Sequence, residues 1–118
     1  MTKATLIIED SKNKNTKYLL LKLHDGYDLG HDLKKQLKSF IKKGIGLDAG
    51  NLVKELTAGN GTNDLELIKK GSQKTIDKAV DRLEFIEHSF TLELLSKKKA
   101  KIYEANIYGD EIVMNIME

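Results

Sequence analysis

The sequence contains no cysteine, proline or tryptophan, and Arg82 is its only arginine. Without cysteine the chain has no disulfide, no thiolate metal site and no cysteine nucleophile. Its 20 basic residues face 18 acidic residues, which leaves a formal net charge of +2. Almost all of the cations are lysines, which do not hold phosphates bidentately as arginines do, so the composition argues against duplex DNA as a partner.

Long apolar runs are missing as well. No segment has the length and apolar character of a signal sequence or of a membrane-spanning helix, which favours a protein of the bacterial cytoplasm without a membrane partner. The length of 118 residues is typical of one domain, so residues 1–118 are interpreted as a single domain around one core.

The N-terminal part of the sequence predicts a β-hairpin followed by a helix. Apolar segments at 4–9 and 17–24 flank a polar turn. The second segment carries leucines at both alternating positions, so we expect both faces of that strand to be covered and the strand to be central in its sheet. From residue 29 to 43 apolar side chains recur at the spacing of one helical face, and Gly44 should end that helix.

The middle of the sequence is less regular. A second helix is predicted over residues 48–58, with Asp48 as its N-cap. Residues 62–70 favour one or two further helical turns, with Leu65 and Ile68 as the apolar anchors. The residues that follow, up to the start of the next regular pattern, do not indicate a particular structure.

Beyond Asp81 the apolar residues alternate with a period of two, which predicts a long strand over 83–94. Two shorter strands are predicted over 100–107 and 112–117, separated by a tight turn. The element order is then ββαα(α)βββ. This order favours an α+β fold with an antiparallel sheet of about five strands and helices on one face.

The last predicted strand, residues 112–117, is apolar at five of its six positions. It therefore has no evident solvent-facing side, and helices on one face of the sheet would leave the other side bare. An uncovered apolar strand promotes aggregation, so we expect a second copy of the chain to cover it, in a homo-oligomer that is a dimer or larger.

The candidate binding residues follow the second strand directly. His24, Asp25, Gly26 and Tyr27 place an imidazole, a carboxylate, a flexible residue and an aromatic ring in one turn. Arg82 joins them because a single guanidinium in a lysine-rich chain is suited to a phosphate group. An ion pair of Arg82 with Asp81 or Glu84 is the structural alternative.

Other motifs point to no reaction. His24-Asp25 and His31-Asp32 resemble the His-Asp pairs of metal-dependent phosphohydrolases, but such centres need further ligands from separate helices. The remaining histidine, His88, alternates with apolar residues and is interpreted as structural. The glycine-rich segments 44–50 and 59–63 lack the spacing of nucleotide-binding loops and are interpreted as helix ends and turns.

The order of these elements resembles a group of small phage and prophage proteins. The shared features are a strand pair entering His24-Asp25-Gly26-Tyr27, an amphipathic helix, a second helix near Ala49 and a late Asp81-x-x-Glu84-Phe85-Ile86 segment. In that group the turn typically reads His-Trp-Asp-Gly-Tyr-Pro, whereas this chain lacks the tryptophan and has Asp28 in place of the proline. The best characterised relatives are phage anti-Thoeris sponge proteins, which sequester cyclic ADP-ribose-type signals made by TIR-domain immune enzymes without degrading them.

The resemblance implies a non-enzymatic anti-defence protein that binds a small cyclic nucleotide-type signal. It implies that His24, Asp25 and Tyr27 contribute to the ligand pocket, and we expect that pocket to form between subunits, because a small domain rarely encloses a nucleotide alone. No cofactor, metal or catalytic residue is assigned. Two alternatives stay open, namely a protein-interaction module that inhibits a host or defence protein and a small metal-dependent enzyme.

Overall fold

A computed structural model describes residues 2–58 and 65–117. Within these ranges the chain forms six strands, three α-helices and one short 3-10 turn. The strands are β1 (Lys3–Asp10), β2 (Asn13–Lys22), β3 (Leu65–Gly71), β4 (Ile86–Ser96), β5 (Lys99–Asn106) and β6 (Glu111–Met117). The helices are α1 (Leu29–Lys42), α2 (Ala49–Leu56) and α3 (Gln73–Asp81), and the 3-10 turn spans Gly26–Asp28.

All six strands form one sheet in the order β3-β2-β1-β4-β5-β6. Four of the neighbouring pairs are antiparallel, and the central pair, β1 with β4, is parallel. The predicted α+β class is confirmed, but the sheet is mixed and has one strand more than expected. The parallel pair arises because the chain crosses from one edge of the sheet back to its centre through α3 and then enters β4 in the direction of β1.

The main core lies between one face of the sheet and helices α1 and α2. Alternate residues of β1, β4 and β5 point into it, and α1 contributes the apolar face that its sequence spacing predicts. The fully buried side chains of this core include Leu6, Ile8, Leu20, Leu29, Leu33, Leu37, Phe90, Leu92, Leu94 and Ile102.

Helix α3 packs on the opposite face of the sheet, against β2 and β3. Leu19 and Ile76 are fully buried there, outside the main core. The prediction of helices on one face only is therefore wrong. Both faces of β2 are covered as expected, at Leu20 by the main core and at Leu19 beneath α3, and one copy of the chain provides both layers. The strand is second from the edge of the sheet, not central.

The predicted bounds of β1, α1 and α2 agree with the structure to within about two residues. Strand β2 begins earlier than expected because only a short turn follows β1, and it ends at Lys22. Gly44 ends α1 with a left-handed φ of 80°, which glycine adopts without strain. The Asp48 side chain accepts a hydrogen bond from the Asn51 amide at 3.1 Å and caps α2 as predicted. The predicted Gly59–Gly61 turn lies outside the described residues.

Residues 65–71 form a strand where helical turns were predicted. The register of β3 against β2 shifts between Leu19 and Leu20, so that Leu20 lies opposite Leu67 and Leu19 opposite Lys69. Ile68 is the extra residue at this irregularity, which breaks the strand alternation and spaces the apolar residues as in a helix. The true helix, α3, follows directly and is capped by Ser72, whose side chain accepts a hydrogen bond from the Thr75 amide at 3.4 Å.

The C-terminal strands agree with the prediction to within about one residue at β5 and β6, as expected for boundaries of this kind. Strand β4 begins at Ile86, so the segment 83–85 is not part of it. His88 and Phe90 point into the core in the predicted alternation. Phe85 instead has a left-handed φ of 61° and is 81% exposed.

In the described ranges, no helix has both the length and the apolar character required to cross a membrane.

Candidate functional site

The turn from His24 to Tyr27 is anchored to β1 by its backbone. The Gly26 amide donates a hydrogen bond to the Thr2 carbonyl at 3.0 Å, and Asp25 adopts a left-handed conformation with φ of 55°. A Cβ atom on Gly26 would lie 2.7 Å from the Ala4 Cβ and 3.0 Å from the Ala4 nitrogen. Gly26 is therefore required by its close approach to β1, and its role in the turn is structural.

The side chains of this turn point outward. His24 and Asp25 are exposed, and Tyr27 is 56% exposed. No side-chain hydrogen bond or ion pair joins these three residues to another described residue. None of them lines the cleft beside α3, the pocket beside the β1–β2 hairpin or the shallow pocket between α1 and Met117. As a single copy, the turn presents an accessible aromatic and polar surface without an enclosing wall.

The His-Asp pairs do not converge on a metal centre in the described part of the chain. No group of three or more histidine, aspartate or glutamate side chains there is arranged to hold an ion. His31 is exposed on α1, and Asp32 is half-buried one residue later. Neighbouring helical residues point in different directions, so this second pair cannot complete the ligand set of the first.

Arg82 lies in a cleft between α3 and β3 with a volume of about 390 Å³. Lys69 of β3 and Lys78 of α3 line the same cleft, together with Thr75. Its apolar lining comes from Ile68, Ala79 and Leu83. The cleft therefore combines three cations and one hydroxyl group with an apolar floor.

Helical periodicity explains why these side chains meet. Thr75, Lys78 and Arg82 are separated by three and four residues, so they lie along one side of α3. Lys69 joins them from the strand against which α3 packs. No ion pair with Asp81 or Glu84 is formed in the described structure, so the ion-pair interpretation of Arg82 is wrong.

A second pocket, of about 400 Å³, lies beside the β1–β2 hairpin, but its charges are mixed. Glu9, Asp10 and Glu93 line it together with Lys14 and Lys17. Lys17 and Glu9 form an ion pair at 3.0 Å, which neutralises part of this lining. Among the described pockets, the cleft beside α3 is thus the better match for an anionic ligand.

Phe85 follows the cleft residues Arg82 and Leu83 in the sequence but does not line the cleft itself. It follows Arg82 by three residues, so the two Cα atoms are at most about 11 Å apart. Lys3 holds its ammonium group 6.0 Å from the centre of the Phe85 ring. Ile86 pairs with Lys3, and Thr2 accepts the hydrogen bond of the turn, so the segment after Arg82 and the His24–Tyr27 turn meet at the same end of β1.

His88 has a structural role, as its alternation with apolar residues predicts. Its Nδ1 atom lies 2.9 Å from Glu104 Oε2, and the Asn106 side-chain amide donates to the same oxygen at 3.1 Å. The ring stacks on Phe90 at a centroid distance of 6.1 Å. His88 is 7% exposed, so these contacts satisfy a buried polar group and leave it out of any accessible site.

The sequence identified one residue of the cleft, Arg82, because it is the only arginine of the chain. It missed Lys69 and Lys78, because two lysines among many carry no signal until β3 and α3 are placed side by side. The alternating pattern also assigned Phe85 to a strand, whereas the structure has it in a left-handed conformation before β4. Comparisons of the chain with protein-family models, curated proteins and solved structures found no significant match.

Proposed function

We propose that this chain is a non-enzymatic phage or prophage anti-defence protein that binds and sequesters a small cyclic nucleotide-type immune signal in the host bacterial cytoplasm. The observation that carries the proposal is the cleft in which Arg82, Lys69 and Lys78 converge. The resemblance of the His24–Tyr27 turn to anti-Thoeris sponge proteins supplies the class of ligand.

The charges of the cleft favour a phosphate-bearing ligand. A guanidinium and two ammonium groups provide charge-assisted hydrogen-bond donors for phosphate oxygens, and the Thr75 hydroxyl adds a neutral one. The volume of about 390 Å³ lies within the range of small-molecule sites, which begins at about 300 Å³. A pyrophosphate group of an ADP-ribose-type compound matches this combination of size and charge.

The exposed aromatic residues near the cleft suit the base of such a ligand. Phe85 is 81% exposed, and a base stacked on an aromatic ring gains about 1–3 kcal/mol. Tyr27 presents a second ring at the same end of β1. We propose that the phosphates bind beside Arg82 and that the base extends toward Phe85, with the His24–Tyr27 turn as its outer boundary.

Sequestration requires binding without chemical change. The described lining of the cleft has cations, a hydroxyl group and apolar atoms, a combination that suits the binding of a phosphate group. The proposal also includes a homo-oligomer, which the exposed apolar residues of β6 favour. The sequence predicts a binding site between subunits. We propose a cleft within one subunit instead, because α3 and β3 form this cleft without a second copy.

The binding test uses isothermal titration calorimetry with cyclic ADP-ribose and, separately, with inorganic pyrophosphate. We expect both to bind, the nucleotide more tightly because it adds the stacking contact. Arg82→Gln should weaken both by at least about tenfold, equivalent to about 1.4 kcal/mol. Lys35→Gln is the matched control, since Lys35 is an exposed cation on α1 outside the cleft, and it should change neither affinity.

The bound nucleotide is then released by heating and identified by mass spectrometry. Recovery of the unchanged compound is the expected result. Recovery of a chemically altered product would show that the protein catalyses a reaction and does not merely sequester the nucleotide. Equal affinities of wild type and Arg82→Gln would show that the cleft is not the binding site. If neither cyclic ADP-ribose nor pyrophosphate binds, the proposed function as a whole is overturned.

A further inference from the structure

Strand β6 forms one edge of the sheet, with Ile116 buried in the main core and most of its other residues exposed. It pairs with β5 along its whole length without a register shift, and its other side has no strand beside it. Ile112, Val113 and Met117 are 44%, 54% and 64% exposed. Glu111 is the only charged residue of the strand and stands at its beginning.

The opposite edge of the sheet is built differently. Strand β3 carries Glu66, Lys69 and Lys70, and the register shift opposite Leu19 and Leu20 interrupts its regular edge. Charged residues and irregularities of this kind prevent edge strands from pairing with other chains. The contrast indicates that one edge of this sheet is protected and that β6 is kept free for pairing.

We propose that β6 pairs in antiparallel orientation with β6 of a second copy, so that one sheet runs continuously through a two-fold symmetric dimer. Backbone hydrogen bonds along β6 then satisfy the edge, and the β6 side chains of the two copies lie beside one another on both faces of the continuous sheet. The inference specifies the oligomeric part of the proposed function and does not depend on its ligand.

Symmetry restricts the register of this pairing. In an antiparallel dimer the two-fold axis is perpendicular to the sheet, so residues that lie opposite each other must point to the same face. With Met114 on the axis, all residues of β6 are paired. Val113 then lies opposite Asn115 of the partner subunit, and Glu111 lies opposite Met117 of the partner subunit.

This register also matches the charges at the two ends of β6. Met117 shares a shallow pocket with Lys38 and Lys42 of α1. Antiparallel pairing brings Glu111 of one copy to the end of β6 where these two lysines of the other copy lie. The same contact forms twice in the dimer, and a second copy therefore provides the anionic group that fits beside each lysine pair.

The first test measures the oligomeric state by native mass spectrometry and by sedimentation at several concentrations. Wild type is expected to be a dimer, and Val113→Lys should weaken it at least about tenfold, because two lysines would face the interface. Leu67→Lys is the matched control on the protected edge, where the leucine is 41% exposed, and it should leave the dimer intact. Circular dichroism confirms that each variant is folded.

The second test probes orientation and register. The chain has no cysteine, so Val113→Cys and Asn115→Cys variants introduce the only thiols. Under mild oxidation, an equimolar mixture of the two variants should form a disulfide-linked heterodimer in higher yield than either variant forms a homodimer. Glu111→Lys should weaken the dimer several-fold, and adding Lys38→Glu with Lys42→Glu should restore it.

A monomeric wild type at the highest concentrations would overturn the inference, as would a dimer that Val113→Lys leaves unchanged. The absence of a preferred heterodimer would overturn the proposed register. Titrating pyrophosphate into Val113→Lys separates the two proposals. The cleft lies at the opposite edge of the sheet, so this variant should still bind pyrophosphate although its dimer is weakened. A monomeric wild type that binds pyrophosphate rejects only the dimer, and a dimeric wild type that does not bind pyrophosphate rejects only the ligand site.

Discussion

Among the described residues other than glycine, Asp25 and Phe85 have a positive φ, and Phe85 is the one whose side chain disfavours it. A left-handed conformation brings Cβ close to the following carbonyl oxygen and costs about 1–2 kcal/mol for residues other than glycine, asparagine and aspartate. The φ of Phe85 is 61°, and its ring is 81% exposed, so burial of the ring does not offset this strain. A strained and exposed aromatic residue between the cleft and β4 is consistent with a ligand contact.

This strain is measurable by comparing two substitutions that both remove the ring. Phe85→Gly relieves the left-handed strain, whereas Phe85→Ala retains a Cβ atom. We expect Phe85→Gly to have a free energy of unfolding about 1 kcal/mol higher than Phe85→Ala in urea denaturation. Equal stabilities, or a less stable glycine variant, would show that position 85 does not hold the left-handed conformation.

At the scale of single residues, the sequence could identify chemical types but not their surroundings. Arg82 was found because it is unique in composition, and Asp48 was found because a capping aspartate acts through neighbours in the sequence. Lys69 and Lys78 line the same cleft only because β3 packs against α3, and the sequence predicted neither element. A residue that reaches a site only through the packing of two separate elements shows no local sequence pattern that identifies it.

Among the elements, the 3-10 turn after β2 depends on one point of close packing. Gly26 is buried against Ala4, where an added Cβ would lie 2.7 Å from the Ala4 Cβ and 3.0 Å from the Ala4 backbone nitrogen. Backbone atoms cannot move aside as a flexible side chain does. The turn can therefore accept a larger residue at position 26 only by moving away from β1.

We expect Gly26→Ala to lower the free energy of unfolding by about 1–3 kcal/mol, the usual cost of overpacking. Tyr27→Ala is the matched control from the same turn and should change stability by less than about 0.5 kcal/mol, because the tyrosine is 56% exposed. Urea denaturation of both variants makes the comparison. A Gly26→Ala variant with the same free energy of unfolding as wild type would contradict the close contact of the turn with β1.

Elements with regular patterns were predictable, and the exceptions have physical causes. Helix α1 shows one apolar face and ends at a glycine, so both its face and its end follow from local rules. Strand β3 was mistaken for helical turns because the register shift at Ile68 imitates helical spacing. Helix α3 escaped prediction because it buries little, with Ile76 as its only fully buried residue.

At the scale of the whole molecule, the sheet depends on its central parallel pair. Strand β1 pairs with β4 from Lys3↔Ile86 to Asp10↔Leu94, which joins the first strand to a segment near the end of the chain. No local sequence pattern indicates the pairing of β1 with β4. The sequence predicts an antiparallel sheet because most of its strands follow one another as hairpins. The two edges also differ, since α3 covers β3 and β6 remains open.

The same topology makes a prediction about folding. Pairing β1 with β4 closes a long loop, and domains rich in such contacts fold in milliseconds to seconds. The sequence has no proline and no cysteine, so neither prolyl isomerisation, at tens of seconds, nor disulfide exchange can add a slow step. Stopped-flow refolding of Val113→Lys at low protein concentration, where the weakened dimer is dissociated, should follow a single exponential. A concentration-independent phase of tens of seconds would contradict this folding route.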